Sequence, residues 1–73
     1  MIEKYKVAKG KKIIVSIYDA KNRETVEYTF DENDKVSFEL VENDLWLIDS
    51  DGTSYLTDDY PIFHIKNGEL EKI

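Results

Sequence analysis

The sequence predicts an all-β protein, a small antiparallel barrel of about five to seven short strands. Three observations predict this fold. Several segments alternate apolar and polar residues with a period of two, polar turn residues separate them, and no window of about eleven residues has helical periodicity. The chain has 73 residues, which predicts one domain over residues 1–73 with a small hydrophobic core.

The first three strands are predicted over residues 12–18, 25–30 and 35–41. Each segment is rich in β-branched or aromatic residues, which favour strands. Successive residues of a strand point to opposite sides, so each strand has one apolar face. The side chains on these faces are Ile13, Val15 and Ile17, then Val26, Tyr28 and Phe30, then Val36, Phe38 and Leu40.

Turn residues and a short apolar run continue the pattern. Polar residues at 19–23 and 31–34 separate the first three predicted strands. Residues 45–48 form an apolar run that predicts a fourth strand. The turn sequence of residues 49–52, which ends in glycine, then leads into a further strand over residues 53–56.

The two ends of the chain give weaker signals. The dipeptide Asn67-Gly68 suits the positive φ angles of a type I′ turn. It therefore predicts a hairpin between residues 63–66 and residues 69–73. Residues 2–9 are compatible with either a turn of helix or an edge strand.

The centre of the chain contains a set of aromatic and glycine positions in a recognisable order. Trp46 begins an apolar strand, Gly52 lies in the next turn, and the pair Tyr55-Leu56 and then Tyr60 follow. These positions resemble those in the second half of a Src-homology-three barrel. The segment Ile-Tyr-Asp-Ala at residues 17–20 is similar to the start of that family's sequence. The resemblance covers residues 17–62 and implies a Src-homology-three-like fold.

The chain departs from this family at its peptide-binding groove. In eukaryotic members, aromatic residues and a proline form the groove that holds proline-rich peptides. Matched position by position, Tyr18 and Tyr60 are kept, while Ala20, Leu45 and Thr57 replace the second tyrosine, the first tryptophan and the proline. The resemblance therefore implies a fold and does not imply binding of proline-rich peptides.

Charge is segregated along the sequence. Residues 1–23 carry seven basic and two acidic residues, whereas residues 24–65 carry one basic and twelve acidic residues. Residues 66–73 are balanced, and the net charge is −6. An acidic β surface can imitate the phosphates of DNA or speed association with a basic partner.

These features predict a non-enzymatic protein-binding module that uses an acidic face, as nucleic-acid-mimicking inhibitors and immunity-type proteins do. The expected partner is a protein with a basic surface. Acidic residues would supply the charge, and aromatic residues would act as anchors because they dominate interface energetics. The predicted partner-binding residues are Glu39, Glu42, Trp46, Asp49, Asp51, Tyr55, Asp58, Asp59 and Tyr60.

Two alternatives remain open. A small barrel that binds a peptide or nucleic acid would use Tyr5, Tyr18 and the N-terminal lysines, since such barrels combine basic patches with stacking aromatics. The overall negative charge opposes nucleic acid and makes this partner the less favoured one. A structural accessory domain, in which charge serves only solubility, is the other alternative.

The residue types present argue against catalysis and cofactors. The chain has no cysteine and one histidine, His64, and lacks a nucleophile-elbow motif. Counted from Asp49, a calcium loop would need glycine at Ser54 and glutamate at Tyr60, so that motif fails. We therefore expect no catalytic residues, no metal and no cofactor.

The expected location is the cytoplasm. The N-terminal residues lack the long apolar stretch of a signal peptide. The longest apolar runs, such as residues 45–48, are far too short to span a membrane, so no membrane partner is expected. The absence of cysteine also fits a reducing compartment.

Overall fold

Two antiparallel β-sheets and one short helix make up the protein in a computed structural model, which describes residues 2–73. The elements are β1 (Ile2–Val7), β2 (Lys12–Asp19), β3 (Glu24–Asp31), β4 (Ser37–Val41), β5 (Asp44–Ile48), β6 (Ser54–Leu56), α1 (Pro61–Lys66) and β7 (Leu70–Lys72). A five-stranded sheet has the order β6-β5-β4-β1-β7, and β2 and β3 form a separate pair. The predicted all-β class is confirmed, although the sheets do not close into a barrel.

The core lies between the two sheets and follows the alternation of the strands. Ile13 and Val15 from β2 are fully buried, as are Phe38 from β4 and Leu45 from β5. Phe30 on β3 meets the ring of Phe38 edge-on, with ring centroids 6.3 Å apart. The inward faces predicted for these strands therefore form the contact between the sheets.

The chain just after β6 joins the two sheets at one point. Thr57 forms an isolated antiparallel bridge with Ile17 of β2. The Thr57 amide and hydroxyl both donate to the Leu45 carbonyl, at 3.0 and 2.9 Å. The next amide, that of Asp58, donates to the Ser16 carbonyl at 2.7 Å. This segment therefore connects β2 to β5 and fixes how the sheets are set against each other.

The predicted hairpin at residues 63–73 is wrong. Pro61–Lys66 is a helix instead, with a proline in its first turn, where the missing amide proton costs nothing. Gly68 follows the helix with φ 71°, and its amide donates to the Ile65 carbonyl at 3.1 Å. A glycine with positive φ ends helices as readily as it forms hairpins. Strand β7 then pairs with β1.

Residues 2–7 form a central strand. β1 pairs with β4 on one side and with β7 on the other. Tyr5 and Val7 point into the core, whereas Lys4 and Lys6 point out. Of the two alternatives for residues 2–9, a turn of helix or an edge strand, a strand forms, and it is internal because residues 70–72 cover its second edge.

Candidate functional site

An open groove of about 430 Å³ lies where β2 and β6 diverge. The bridge between Ile17 and Thr57 brings the two chains together at one end of the groove. If antiparallel pairing continued beyond the bridge, Asp19 would lie opposite Tyr55. Both residues line the groove instead. The groove therefore opens between two strands that meet at one point and then separate.

Three tyrosines line this groove, which we call the tyrosine groove. Tyr28 from β3 and Tyr55 from β6 are 45% and 40% exposed, and Tyr18 from β2 is 54% exposed. Tyr18 lies directly across from Thr25, on the outer face of the strand pair, so it borders the groove from the side opposite to Tyr28. The Tyr28 ring stacks on Phe30, with centroids 6.4 Å apart. Leu47, which is buried and lies directly across from Tyr55, adds apolar surface. The groove is thus aromatic and partly open to solvent.

Two acidic side chains contribute to the lining, and no lysine or arginine does. Asp49 begins the turn between β5 and β6, where its Oδ1 accepts amide protons from Asp51 at 3.0 Å and Thr53 at 3.2 Å. The Asp49 side chain also hydrogen-bonds with the side chains of Tyr55 and Asp51. Asp49 therefore brings a carboxylate to the tyrosine groove that is already bonded to its own turn and to Tyr55.

Asp19 has a different role at the opposite wall. Its Oδ1 accepts the Lys21 amide at 3.0 Å, and its Oδ2 accepts the Asn22 side-chain amide at 2.8 Å. These bonds shape the turn between β2 and β3, in the way that aspartates commonly stabilise turns. Asp19 therefore adds charge to the groove, while both of its oxygens already have a donor.

Electrostatic coupling links Asp49 to its neighbours. The negative charge of Asp49, followed by desolvation and by a hydrogen bond with the Asp49 side chain, raises the pKa of Tyr55 above its ordinary value. A hydrogen bond with the Asp49 side chain, followed by bonds from the Thr53 hydroxyl and amide, lowers the pKa of Asp51 to about 2. The Asp51 carboxylate accepts the Thr53 hydroxyl at 2.6 Å. The turn after β5 therefore stays anionic at neutral pH.

Of the nine predicted partner-binding residues, Asp49 and Tyr55 line the tyrosine groove. Asp51 lies in the same turn, but its carboxylate bonds to Thr53. Glu42 lies in the turn between β4 and β5, at the other end of β5 from Asp49.

Glu39 and Trp46 lie on the outer face of the five-stranded sheet. They are directly across from each other on β4 and β5. Glu39 also lies opposite Lys4 of β1. A basic residue of β1 therefore lies beside the acidic residue of β4 on this face, and the charge segregation of the sequence is not kept there.

The remaining three predicted residues lie between β6 and α1. Asp58 is exposed, and Tyr60 is 80% exposed. Asp59 is partly buried, and its Oδ2 accepts the Ser16 amide at 2.6 Å. Ile62 and Phe63 on α1 are also exposed, so this region has an apolar surface of its own, separate from the tyrosine groove.

Asp59 belongs to a network that sequence reasoning missed. His64, only 5% exposed, contacts Glu69 Oε1 through Nδ1 at 2.7 Å and lies 3.6 Å from Asp59 Oδ1 through Nε2. Together with the Ser16 amide, these three side chains form what we call the Asp59 network. Residues 63–66 were predicted as one strand of a hairpin, whereas His64 is buried on α1. The acids five residues on either side of His64 were the available sequence signal.

The Asp59 network satisfies buried polar groups. Among the described side chains, no buried nitrogen or oxygen lacks a hydrogen-bond partner. Nor do His, Asp and Glu residues within residues 2–73 form a group that could hold a metal ion. The network therefore connects α1 to β2 and to the residue before β7. Its contacts are explained by the stability that they give the fold.

The aromatic residues of the nucleic-acid alternative are divided between core and groove. Tyr5 is buried, and its hydroxyl donates to Glu3 at 2.9 Å, so the ring has no free face on which a base could stack. Tyr18 is exposed in the tyrosine groove. The expectation that both tyrosines serve one surface is therefore corrected by the burial of Tyr5.

Comparisons with known proteins add no relative. No family model matches the chain, and neither a curated protein nor a solved structure matches it. In the described part of the chain, no helix has the length and apolar character needed to cross a membrane. The geometry of the groove is therefore the feature that bears on function.

Proposed function

We propose that the protein is a non-enzymatic protein-binding module that holds a basic side chain of its partner in the tyrosine groove. One observation carries the proposal: Tyr28, Tyr55 and the Asp49 carboxylate line one groove that has no basic lining residue. A lysine or arginine gains from the face of an aromatic ring and from a nearby carboxylate. The groove offers both.

The acidity of the molecule supports the same class of partner. The net charge of −6 favours encounter with a basic surface. A nucleic-acid mimic would need acids in one continuous array. The position of Glu39 beside Lys4 and the separation of Glu42 from Asp49 favour local recognition in the groove over that mechanism.

We also propose that the fold is related to the Src-homology-three-like barrel. The two sheets meet at the bridge between Ile17 and Thr57, and the family-like segment at residues 17–20 lines the tyrosine groove. Tyr60, the other residue that matches the family's groove, lies outside it. Slow amide exchange in β2 and β6 beyond the bridge between Ile17 and Thr57 would show further pairing of these strands and support the barrel, and fast exchange there would count against it.

The test is a binding titration with short blocked peptides that carry a central arginine or lysine. Matched peptides with glutamate at the same position should not bind. Binding of the basic peptides should weaken as salt increases, because the contact is partly exposed and ionic.

Four variants locate the site. Asp49→Asn should weaken binding by up to about fivefold, the range of a partly exposed ion pair. Tyr55→Ala should weaken it about tenfold or more, as loss of an aromatic anchor does. Asp44→Asn and Tyr60→Ala are the controls, because both residues are exposed and lie outside the groove. Equal effects of control and groove variants would refute the proposal.

A further inference from the structure

Strand β3 has one edge that pairs with β2 and one edge that is free. The pairing with β2 is continuous from Glu24 to Asp31. Within residues 2–73, no strand pairs with the other edge of β3. Such an edge is a template for another strand, and proteins commonly recognise extended peptides by adding them to it.

Two hydrogen bonds show which residues face the free edge. The Ser16 amide donates to Asp59 and its carbonyl accepts from Asp58, so the backbone of Ser16 points away from β3. Alternate residues of an antiparallel strand point to opposite edges, so Glu27, the cross-strand partner of Ser16, points away from β2. The Asp31 amide also points away from β2, since it donates to the Asp34 carboxylate at 2.7 Å. This orientation is the one expected for a residue four positions after Glu27.

Thr25, Glu27 and Thr29 therefore present their backbone groups along the free edge, which we call the β3 edge. Each residue offers one donor and one acceptor. Their side chains lie on the outer face of the strand, while Val26 and Tyr28 lie on the inner face. A strand added here would place alternate side chains beside Glu27 and beside Tyr28, which is 45% exposed.

The charge of β3 indicates which kind of strand binds at the β3 edge. The strand contains three acids, Glu24, Glu27 and Asp31, and no basic residue. A second copy paired about Glu27 would set that carboxylate against its own copy, and like charges directly opposite are destabilising. Each copy would also carry a net charge of −6. A basic strand places no like charge opposite Glu27 and is attracted by the negative charge of the protein.

We infer that the β3 edge binds an extended basic segment of a partner protein by strand addition. The segment places lysine or arginine on the face of Glu27 and apolar side chains on the face of Tyr28. The inference rests on the proposed function only for the basic character of the partner, because the β3 edge and the tyrosine groove bind through different groups.

The test uses a blocked seven-residue peptide of alternating lysine and valine, with amide hydrogen exchange followed by NMR. Saturation with this peptide should slow exchange tenfold or more at Thr25, Glu27 and Thr29. Exchange at Val26 and Tyr28 should change little, since these amides already pair with β2. A peptide of the same composition with its lysines and valines in two separate blocks should not produce the alternating pattern.

Variants of the edge give a second readout. Thr29→Pro removes one outward donor without removing a bond to β2, and it should weaken binding of the alternating peptide about tenfold. Thr29→Val keeps the donor and should bind like the unchanged protein. Glu27→Lys should weaken binding about fivefold or more because it places a base against the peptide's lysines.

The outcomes separate this inference from the proposed function. Slowed exchange at the β3 edge with no effect of Asp49→Asn would support the edge and count against the groove. Peptide binding that depends on Asp49 and leaves exchange at Thr25, Glu27 and Thr29 unchanged would overturn the edge. Absence of binding at millimolar peptide would overturn it too. If exchange at the β3 edge slows without peptide, and slows further as the protein concentration rises, a second copy binds the edge. That result would overturn the inference as well.

Discussion

Removing the Asp59 carboxylate should lower the free energy of unfolding by about 2 kcal/mol. In Asp59→Ala, the partly buried Ser16 amide loses its acceptor at 2.6 Å, and His64 loses the carboxylate beside Nε2. A hydrogen bond to a charged group contributes about 1.5–3 kcal/mol, and a buried donor left without a partner costs about 1–3 kcal/mol. The two figures describe the same lost contact, so they are not added.

Thermal unfolding followed by circular dichroism measures this change. For a domain of this size, about 2 kcal/mol corresponds to a fall in Tm of roughly 8–16 °C. Asp58→Ala is the matched control, because it removes the same charge from the adjacent, exposed residue and keeps the backbone bond from Asp58 to Ser16. The control should stay within about 0.5 kcal/mol of the unchanged protein. Equal falls in Tm for the two variants would show that the contacts of the Asp59 carboxylate do not stabilise the fold.

Three further predictions follow from the core and the groove. Phe38→Ala should cost about 3–5 kcal/mol and abolish a cooperative transition, whereas Phe63→Ala on the surface should leave the denaturant midpoint nearly unchanged. Asp49→Asn should lower the pKa of Tyr55 toward its ordinary value; an unchanged tyrosine titration by NMR would contradict the contact. The pKa of Asp51, about 2, lies below the usual 3.8, so its contribution to stability is complete above about pH 4 and disappears as the pH falls through 2. Side-chain carboxyl shifts of Asp51 in an NMR pH titration should show this midpoint, and a midpoint near 4 would contradict it.

Alternation predicted the strands that have one buried face. Ile13 and Val15 are buried and alternate with exposed or partly exposed residues, as a period of two requires. The inner face of β3 is less buried, because Tyr28 borders the open groove and keeps 45% of its surface exposed. Strand periodicity indicates which face is apolar, and the second sheet decides how completely that face is covered.

The helix α1 was not predicted from the sequence because it is short. Pro61–Lys66 has only six residues, which is too short for a helical period to appear. Two of its apolar residues, Ile62 and Phe63, also remain exposed. Pro61 at the start and Gly68 just past the end were the available signals, and Asn67-Gly68 suited a hairpin equally well.

Strand order explains why the charge blocks did not become surface patches. β1 lies between β4 and β7, so Lys4 faces Glu39 and Lys6 faces Glu71 across the sheet. These pairings join residues that are far apart in the chain, and local patterns do not encode them. The basic and acidic stretches of the sequence therefore interleave on the outer face.

The candidate site was partly accessible from the sequence. Asp49 and Tyr55 were predicted to bind a partner because they are acidic and aromatic residues of one turn region. Tyr28 and Asp19 were not among the predicted residues, since their place in the groove depends on the divergence of β2 from β6. That divergence is a tertiary feature and leaves no local pattern.

Entry of a basic side chain into the tyrosine groove can be observed in an NMR chemical-shift map recorded with an arginine-containing peptide. The largest shift changes should cluster at Tyr18, Tyr28, Asp49 and Tyr55 and should disappear with a matched glutamate peptide. Changes centred instead on the exposed surface of α1, or spread evenly over the acidic residues, would show that the basic side chain does not bind in the groove.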